Sequence, residues 1–187
     1  MLSRLVKYDA KTLQEVGSFF ANDRAFVLDT INFVPERGQY LLSGFSRSKI
    51  FGVAQNGFAL WLDQDFEHFH HIPLDMVVAD FQYLSERGEF LAHDLRYLLR
   101  LDGNGHCLSR FFACPKNNLI YGLALSFTEQ YLFCALSDGF IVFSTKDFSP
   151  LYSQKTKCPV LSFATTPDDK NVYVTDFTTC TLFEIHP

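Results

Sequence analysis

The sequence lacks the short signatures that usually disclose a chemistry. Its five cysteines, Cys107, Cys114, Cys134, Cys158 and Cys180, contain no Cys-x-x-Cys pair and are odd in number. That spacing supplies neither a disulfide framework nor a structural zinc site, so buried free thiols in a reducing, cytoplasmic compartment are expected. No Asn-x-Ser/Thr sequon occurs, which agrees with that compartment. No apolar run approaches the ~20 residues that span a bilayer, and residues 1–20 lack the apolar centre of a secretory signal. The net charge of −5 comes from 21 acidic and 16 basic residues without a long run of either sign. A basic stripe for nucleic acid is therefore missing. Gly-x-Ser-x-Gly is absent as well, which removes the nucleophile elbow of the α/β-hydrolases.

What the sequence does hold is phenylalanine, 21 copies in 187 residues, which with the tyrosines and one tryptophan makes 16% of the chain aromatic. Aromatic side chains favour strands and pack between sheets, so the excess leans toward a β protein. It also holds a repeat. Residues 35–44 read PERGQYLLSG and residues 85–94 read SERGEFLAHD, the same Glu-Arg-Gly-x-aromatic-Leu phrase 50 positions apart. Weaker copies follow at 126–144 and 163–185. Aligned on these, a strand B reads Tyr40-Leu41-Leu42-Ser43, Phe90-Leu91-Ala92-His93, Tyr131-Leu132-Phe133-Cys134 and Val172-Tyr173-Val174-Thr175.

A strand A precedes each copy at 31–34, 77–84, 121–127 and 160–164, and a strand C follows at 49–54, 96–101, 140–144 and 180–185. Most copies continue into a strand D. A four-stranded meander of about 40–45 residues is the size of one β-propeller blade. The sequence thus predicts an all-β, propeller-type single domain of about four four-stranded blades, with units near 1–20, 21–66, 67–115, 116–157 and 158–187. The first unit holds two strands and the last three, seventeen in all. Unpaired strand edges call for closure, as a four-bladed ring or as part of a larger one completed by another copy or another chain, and the second is the better expectation because a closing blade holding both Arg4 to Asp9 and Cys180 to Ile185 has one strand too many.

These segments resemble blades of the WD-repeat and YVTN type. TPDDKNVYVTDFTTCTLFEI (166–185) is similar to the YVTN pattern of Pro-Asp-x-Lys followed by a Tyr-Val-Thr strand. YLFCALSDGFIVF (131–143) looks like the strand B, Ser-x-Asp-Gly, strand C stretch of a WD repeat, and LVKYDAKT (5–12) like its strand C ending. No Gly-His precedes a strand A and no strand C ends in Trp-Asp, with Trp61 placed after a strand C. The resemblance implies a blade architecture and, for function, a protein-interaction scaffold or a hydrolase of the propeller lactonase class.

Each candidate residue has a chemical and a plain structural reading. His68 and His70, in EHFHHIP, sit two apart on an extended segment and share a face fit to chelate a metal, or lie in an exposed loop before the next strand A. His93-Asp94 offers an oriented base without a nucleophile, or simply the end of a strand B. Arg37 and Arg87 form a matched pair for an anion, or flank turns whose Gly38 and Gly88 supply positive φ. Asp102-Gly103-Asn104-Gly105 resembles part of a calcium loop, or a hairpin turn between strands C and D. Asp29 and Asp80, near strand A of adjacent units, would hold a cation at the central channel of a metal-dependent hydrolase.

The favoured expectation is a non-enzymatic scaffold or assembly subunit without cofactor, binding other proteins or further copies of itself, with no nucleic acid and no membrane. Its contact residues are then Arg47, Asp94, Arg96, Asp138 and Asp176 from B–C turns, with His68, His70 and Lys116 from D–A loops.

Overall fold

The structure, a computed structural model, describes residues 4–20, 26–47, 54–74 and 76–185. Among the described residues, turns cut the aromatic-rich chain into seventeen strands. They are β1 (Arg4–Tyr8), β2 (Glu15–Phe20), β3 (Phe26–Val34), β4 (Gln39–Arg47), β5 (Ala54–Asp63) and β6 (Phe69–Pro73). Next come β7 (Asp80–Leu84), β8 (Glu89–His93), β9 (Tyr97–Leu101), β10 (Cys107–Ala113), β11 (Ile120–Leu125) and β12 (Tyr131–Leu136). The chain continues through β13 (Gly139–Ser144), β14 (Pro150–Lys155), β15 (Val160–Thr165), β16 (Asn171–Asp176) and β17 (Cys180–Glu184).

These pair only with sequence neighbours, all antiparallel, into five meanders. Sheet I is β1–β2, sheet II β3–β6, sheet III β7–β10, sheet IV β11–β14 and sheet V β15–β17. This is the expected all-β propeller: four blades from sheet II onward, the last with three strands, preceded by a two-stranded fragment. No strand of sheet I pairs with one of sheet V among the described residues. No helix among them is long and apolar enough to cross a membrane.

Sheets II, III and IV each bury one face against the sheet before and the other against the sheet after, while sheets I and V pack against one neighbour among the described residues. Leu5 and Phe19 of sheet I meet Leu42, Phe58 and Leu60 of sheet II. Leu41 and Trp61, on the opposite face of sheet II, meet Phe81, Phe90 and Leu99 of sheet III. Leu91 and Leu98 then meet Leu132 and Cys134, and Phe133 and Phe140 meet Val172 and Val174. Alternation of side chains along a strand makes this two-sided packing possible. It also fixes the register of the repeat. Leu41, Leu91, Phe133 and Tyr173 face forward, so the strand B copies align Tyr40, Phe90, Leu132 and Val172. The sequence-based alignment is therefore one residue out in the third copy, and Ala135 rather than Cys134 corresponds to Ser43, His93 and Thr175.

Two further corrections concern the first complete blade. Its strand C is β5, which contains Trp61, while the segment expected there falls largely on 48–53, outside the described residues. The His-rich segment expected to be a loop is the fourth strand, β6, paired to β5 with His70 opposite Trp61.

The turns between third and fourth strands share one construction. Asp63 ends and Asp102 follows the third strand, and Asp9 follows β1 of two-stranded sheet I in the same way; the three accept turn amides, those of Glu67 at 2.9 Å, Asn104 at 2.8 Å and Thr12 at 2.7 Å. Leu13, Phe66, Gly105 and Phe148 supply a left-handed residue to each turn. The calcium-like Asp102 loop is thus the β9–β10 turn. Gly139, in the Asp138-Gly139 turn expected between β12 and β13, has φ +153°, and a Cβ there would lie 2.0 Å from the Gln154 carbonyl oxygen. Gly139→Ala is expected to cost about 2 kcal/mol or more in urea unfolding, because backbone rather than a movable side chain must give way.

Candidate interaction surfaces

The first strand of each blade lies beside the first strand of the next, and polar side chains bridge them. Asn32 Nδ2 donates to the Phe81 carbonyl at 2.8 Å, and Gln82 Nε2 donates to the Leu123 carbonyl at 3.0 Å. The two bonds occupy equivalent places in successive blades, since Asn32 pairs with Leu41 and Gln82 with Leu91. Asp80 sits in the same row. Its Oδ1 accepts the Phe81 amide and its Oδ2 the Leu123 amide, each at 2.8 Å. Burial, reinforced by the charge of Asp29, pushes its carboxyl up to about 6 against the backbone bonds that oppose the shift. Asp29 is raised by burial as well. A polar groove of about 370 Å³ runs along these strands, lined by Asn32, Asp80, Gln82, Tyr121 and Ser162. Among the described residues no group of three or more His, Cys, Asp or Glu side chains is placed to hold a metal ion. Asp80 here works as a clamp between blades.

At one end of the blades lie the turns between second and third strands and the loops joining blades. The β10–β11 loop knits two of these turns together: Cys114 N donates to Arg96 O at 2.7 Å, and Ser137 N donates to Leu119 O at 3.0 Å. Buried Asn118 is the hub, its Oδ1 accepting Leu119 N and Ser137 N at 3.0 Å and its Nδ2 donating to Asp138. Sequence reasoning missed Asn118; the adjacent Asn117, which takes φ +70°, marked a tight turn there. The structure brings Arg96, Lys116 and Asp138 to this end, with Asp94 and Asp176 in turns of the same type.

Arg96 and Lys116 are exposed. The carboxylates are engaged by their own turns. Asp94 Oδ1 accepts Arg96 N at 3.0 Å and Tyr97 N at 2.7 Å. Asp176 accepts Thr178 N and Thr179 N at 2.7 Å, which lowers its pKa. Asp138 is held low by Lys155, which donates to it, and by Asn118. Arg47 ends β4 and its side chain lies outside the described residues. His68 and His70 are placed elsewhere. His68 is in the β5–β6 turn at the opposite end, 3.0 Å from Asp63 Oδ2, and His70 is exposed on outer strand β6.

The repeated arginines join blades. Arg37 lies 4.3 Å from the Trp61 ring and 5.7 Å from that of Tyr83 in the next sheet. Arg87 donates to Lys146 O at 2.6 Å and lies 5.3 Å from the Phe148 ring, again in the next sheet. Gly38 and Gly88 beside them take φ +60° and +64°, as the turn requires. The five cysteines are free, but only Cys134 is buried, its thiol pushed far up by that burial.

Sheet V presents the largest departure from the repeat. Leu41, Leu91 and Phe133 are 0%, 0% and 1% exposed beneath the following sheet, whereas Tyr173 at the same position is 43% exposed. Leu182, paired with Tyr173, is 52% exposed, while its equivalent Trp61 is 3% exposed. Among the described residues no sheet covers the forward face of sheet V.

No protein-family model matches the chain, and no curated protein matches it in sequence. Solved structures do. The chain is similar to a functionally unknown protein from Desulfotomaculum acetoxidans, with a TM-score of 0.70 and 11% identity over 97% of this chain and 58% of that one. It is also similar to Raptor from Chaetomium thermophilum, with a TM-score of 0.64 and 13% identity over 98% of this chain and 19% of that one. At these identities the likeness establishes the fold alone, and this chain spans only part of each of those proteins.

Proposed function

We propose that this chain is a non-enzymatic β-propeller scaffold or assembly subunit whose partners are other protein chains. The observation that carries this reading is the forward face of sheet V, where Tyr173 and Leu182 occupy positions that the preceding blades bury. Exposed apolar side chains at positions built for packing call for a protein layer over them, supplied by the same polypeptide or by another. The loop end adds a second, charged surface, on which Arg47, Arg96 and Lys116 are the proposed cationic contacts and Asp94, Asp138 and Asp176 shape the turns. His68 and His70 would serve a separate contact on the outer side of sheet II. The alternative, a metal-dependent hydrolase using Asp29 and Asp80, has less support, because both Asp80 oxygens are committed to backbone amides.

Comparative capture tests this reading. Tagged wild type should retain partner proteins that Tyr173→Lys/Leu182→Lys loses, and Arg47→Ala/Arg96→Ala should lose those held by the loop end, with melting temperatures unchanged. Equal recovery by all three chains would overturn it.

A further inference from the structure

The β8–β9 turn and the β10–β11 loop put two leucines on the surface at the loop end. Leu95 is 47% exposed and Leu119 36% exposed. Neither backbone is loosely held. Leu95 N donates to buried His93 Nδ1 at 3.2 Å, the Leu95 carbonyl accepts Ile120 N at 2.9 Å, and Leu119 N donates to Asn118 Oδ1 at 3.0 Å. Leu95 also stands at φ +73°, a left-handed conformation that most L residues avoid and that Asn tolerates far better. A turn optimised for stability alone would carry Asn or Gly at this position. An apolar residue there, exposed on a pinned backbone, is suited to contact, because little ordering entropy remains to be lost on binding.

Around the leucines the charge is one-sided. Arg96, Lys116 and Lys157 are exposed, and none of them joins an ion pair among the described residues. The Lys157 segment is tied to this end by Thr156 N, which donates to Asp138 O at 3.0 Å. The carboxylates of the two neighbouring turns are already engaged, Asp94 by Arg96 N and Tyr97 N, and Asp138 by Asn118 and Lys155. The chain as a whole carries −5, so this cationic rim runs against its overall sign. A cationic rim around an apolar centre complements a ligand whose carboxylates flank large apolar side chains. Nucleic acid suits it less. A phosphate backbone would leave both leucines against water, and the nearby Tyr97 ring is covered by Arg110 at 4.9 Å instead of lying open for base stacking.

We infer that Leu95 and Leu119, rimmed by Arg96, Lys116 and Lys157, dock an acidic segment of a partner protein that carries large apolar side chains between its carboxylates. The apolar side chains lie on the leucines, and the carboxylates meet the rim. Asp94 and Asp138 fix the turns on which these contacts stand and take no ligand themselves. This rests on the scaffold reading and names the chemistry of one partner.

The test titrates the whole chain into a fluorescein-labelled peptide, Glu-Asp-Glu-Leu-Leu-Glu-Asp-Glu, and reads anisotropy. Saturable binding is expected, weakening as salt is raised. Arg96→Ala/Lys116→Ala should bind the peptide about tenfold or more weakly, and so should Leu95→Asn, whose urea midpoint stays equal to or above that of wild type because Asn relieves the left-handed strain. Replacing both leucines of the peptide with serine should weaken binding by about tenfold as well. Absence of saturable binding overturns the site, as does unchanged affinity in either variant or equal affinity for the serine peptide. Oligothymidylate or phosphatidylserine vesicles bound as tightly as the peptide also overturn it, since the occupant is then a nucleic acid or a lipid surface. Peptide binding without captured partners would count against the scaffold reading alone, and partners captured at the loop end without peptide binding against this site alone.

Discussion

Phe133→Ala will lower unfolding free energy by about 3–5 kcal/mol, the range for emptying a packed aromatic site. Tyr173→Ala, the same position one blade later, will change it by less than about 0.5 kcal/mol, as exposed substitutions do. Both side chains sit forward on a second strand, and both belong to large aromatic residues. They differ in cover: Phe133 is 1% exposed and packs 5.4 Å from the Phe163 ring of sheet V, while Tyr173 is 43% exposed with no sheet in front of it among the described residues. Paired urea titrations measure the difference directly. A comparable loss at both positions would mean that sheet V is covered in solution, for example by self-association, and the titration should then depend on protein concentration.

The second large effect is a pH dependence hidden in the wild-type protein. His93 is fully buried, and its pKa falls to about 4 because burial disfavours the imidazolium more than the nearby Asp94 charge favours it. Leu95 N donates to Nδ1 at 3.2 Å, so Nε2 carries the proton, and it has no hydrogen-bond partner. The unfolded chain binds a proton on this residue below about pH 6.5 while the folded one does not, so stability falls as pH drops from 6.5 toward 4. Asp80 has the opposite sign. Its folded pKa of about 6 exceeds the ordinary 3.8, so the folded state holds a proton that the unfolded state has lost, and stability falls as pH rises from 4 through 6. Each contribution amounts to roughly 3 kcal/mol across nearly the same window, and they oppose one another.

Wild type should therefore show a nearly flat stability profile between about pH 4.5 and 6.5. His93→Ser, which installs the residue found at the equivalent position 43, should be more stable near pH 5 than near pH 7. Asp80→Asn should show the reverse slope. Chemical denaturation at the two pH values reads the sign. A profile unchanged by either substitution would remove the corresponding group from this account. Asn keeps the shape at position 80 but turns one amide acceptor into a donor, so the slope and not the absolute stability is the quantity to compare.

The strand arithmetic of two, four, four, four and three was readable from the sequence because each turn carries a local signal: Glu-Arg-Gly, Ser-Asp-Gly, Pro-Asp-Asp. Register was harder to read where alternation vanishes. β5 runs Gly57-Phe58-Ala59-Leu60-Trp61-Leu62 with both faces buried, so its apolar residues are continuous and its limits cannot be read from a period of two. β6 fails for the opposite reason, since an outer strand exposed on most positions shows histidines where a core-facing strand would show aliphatics. In the third copy both Tyr131 and Leu132 can open a strand, and a slip of one residue exchanges the two faces. The candidate residues were placed best where turn chemistry held them, as at Asp94, Asp138 and Asp176. The arginines of the repeated phrase looked like surface residues of a hairpin, because the rings of Tyr83 and Phe148 that receive them belong to a neighbouring blade.

Among the described residues the buried apolar side chains gather in four separate layers, each between neighbouring sheets, in place of one core. The molecule's cooperativity then behaves as a chain of coupled links, each link a layer reinforced by a few bridging bonds. The links are unequal. Sheets II to IV are each held from both sides, whereas sheets I and V are held from one. Opening should start at the two ends and travel inward, and the last structure to melt should be sheet III, where the Asn32 and Asp80 bridges and the Arg37 and Arg87 clasps converge.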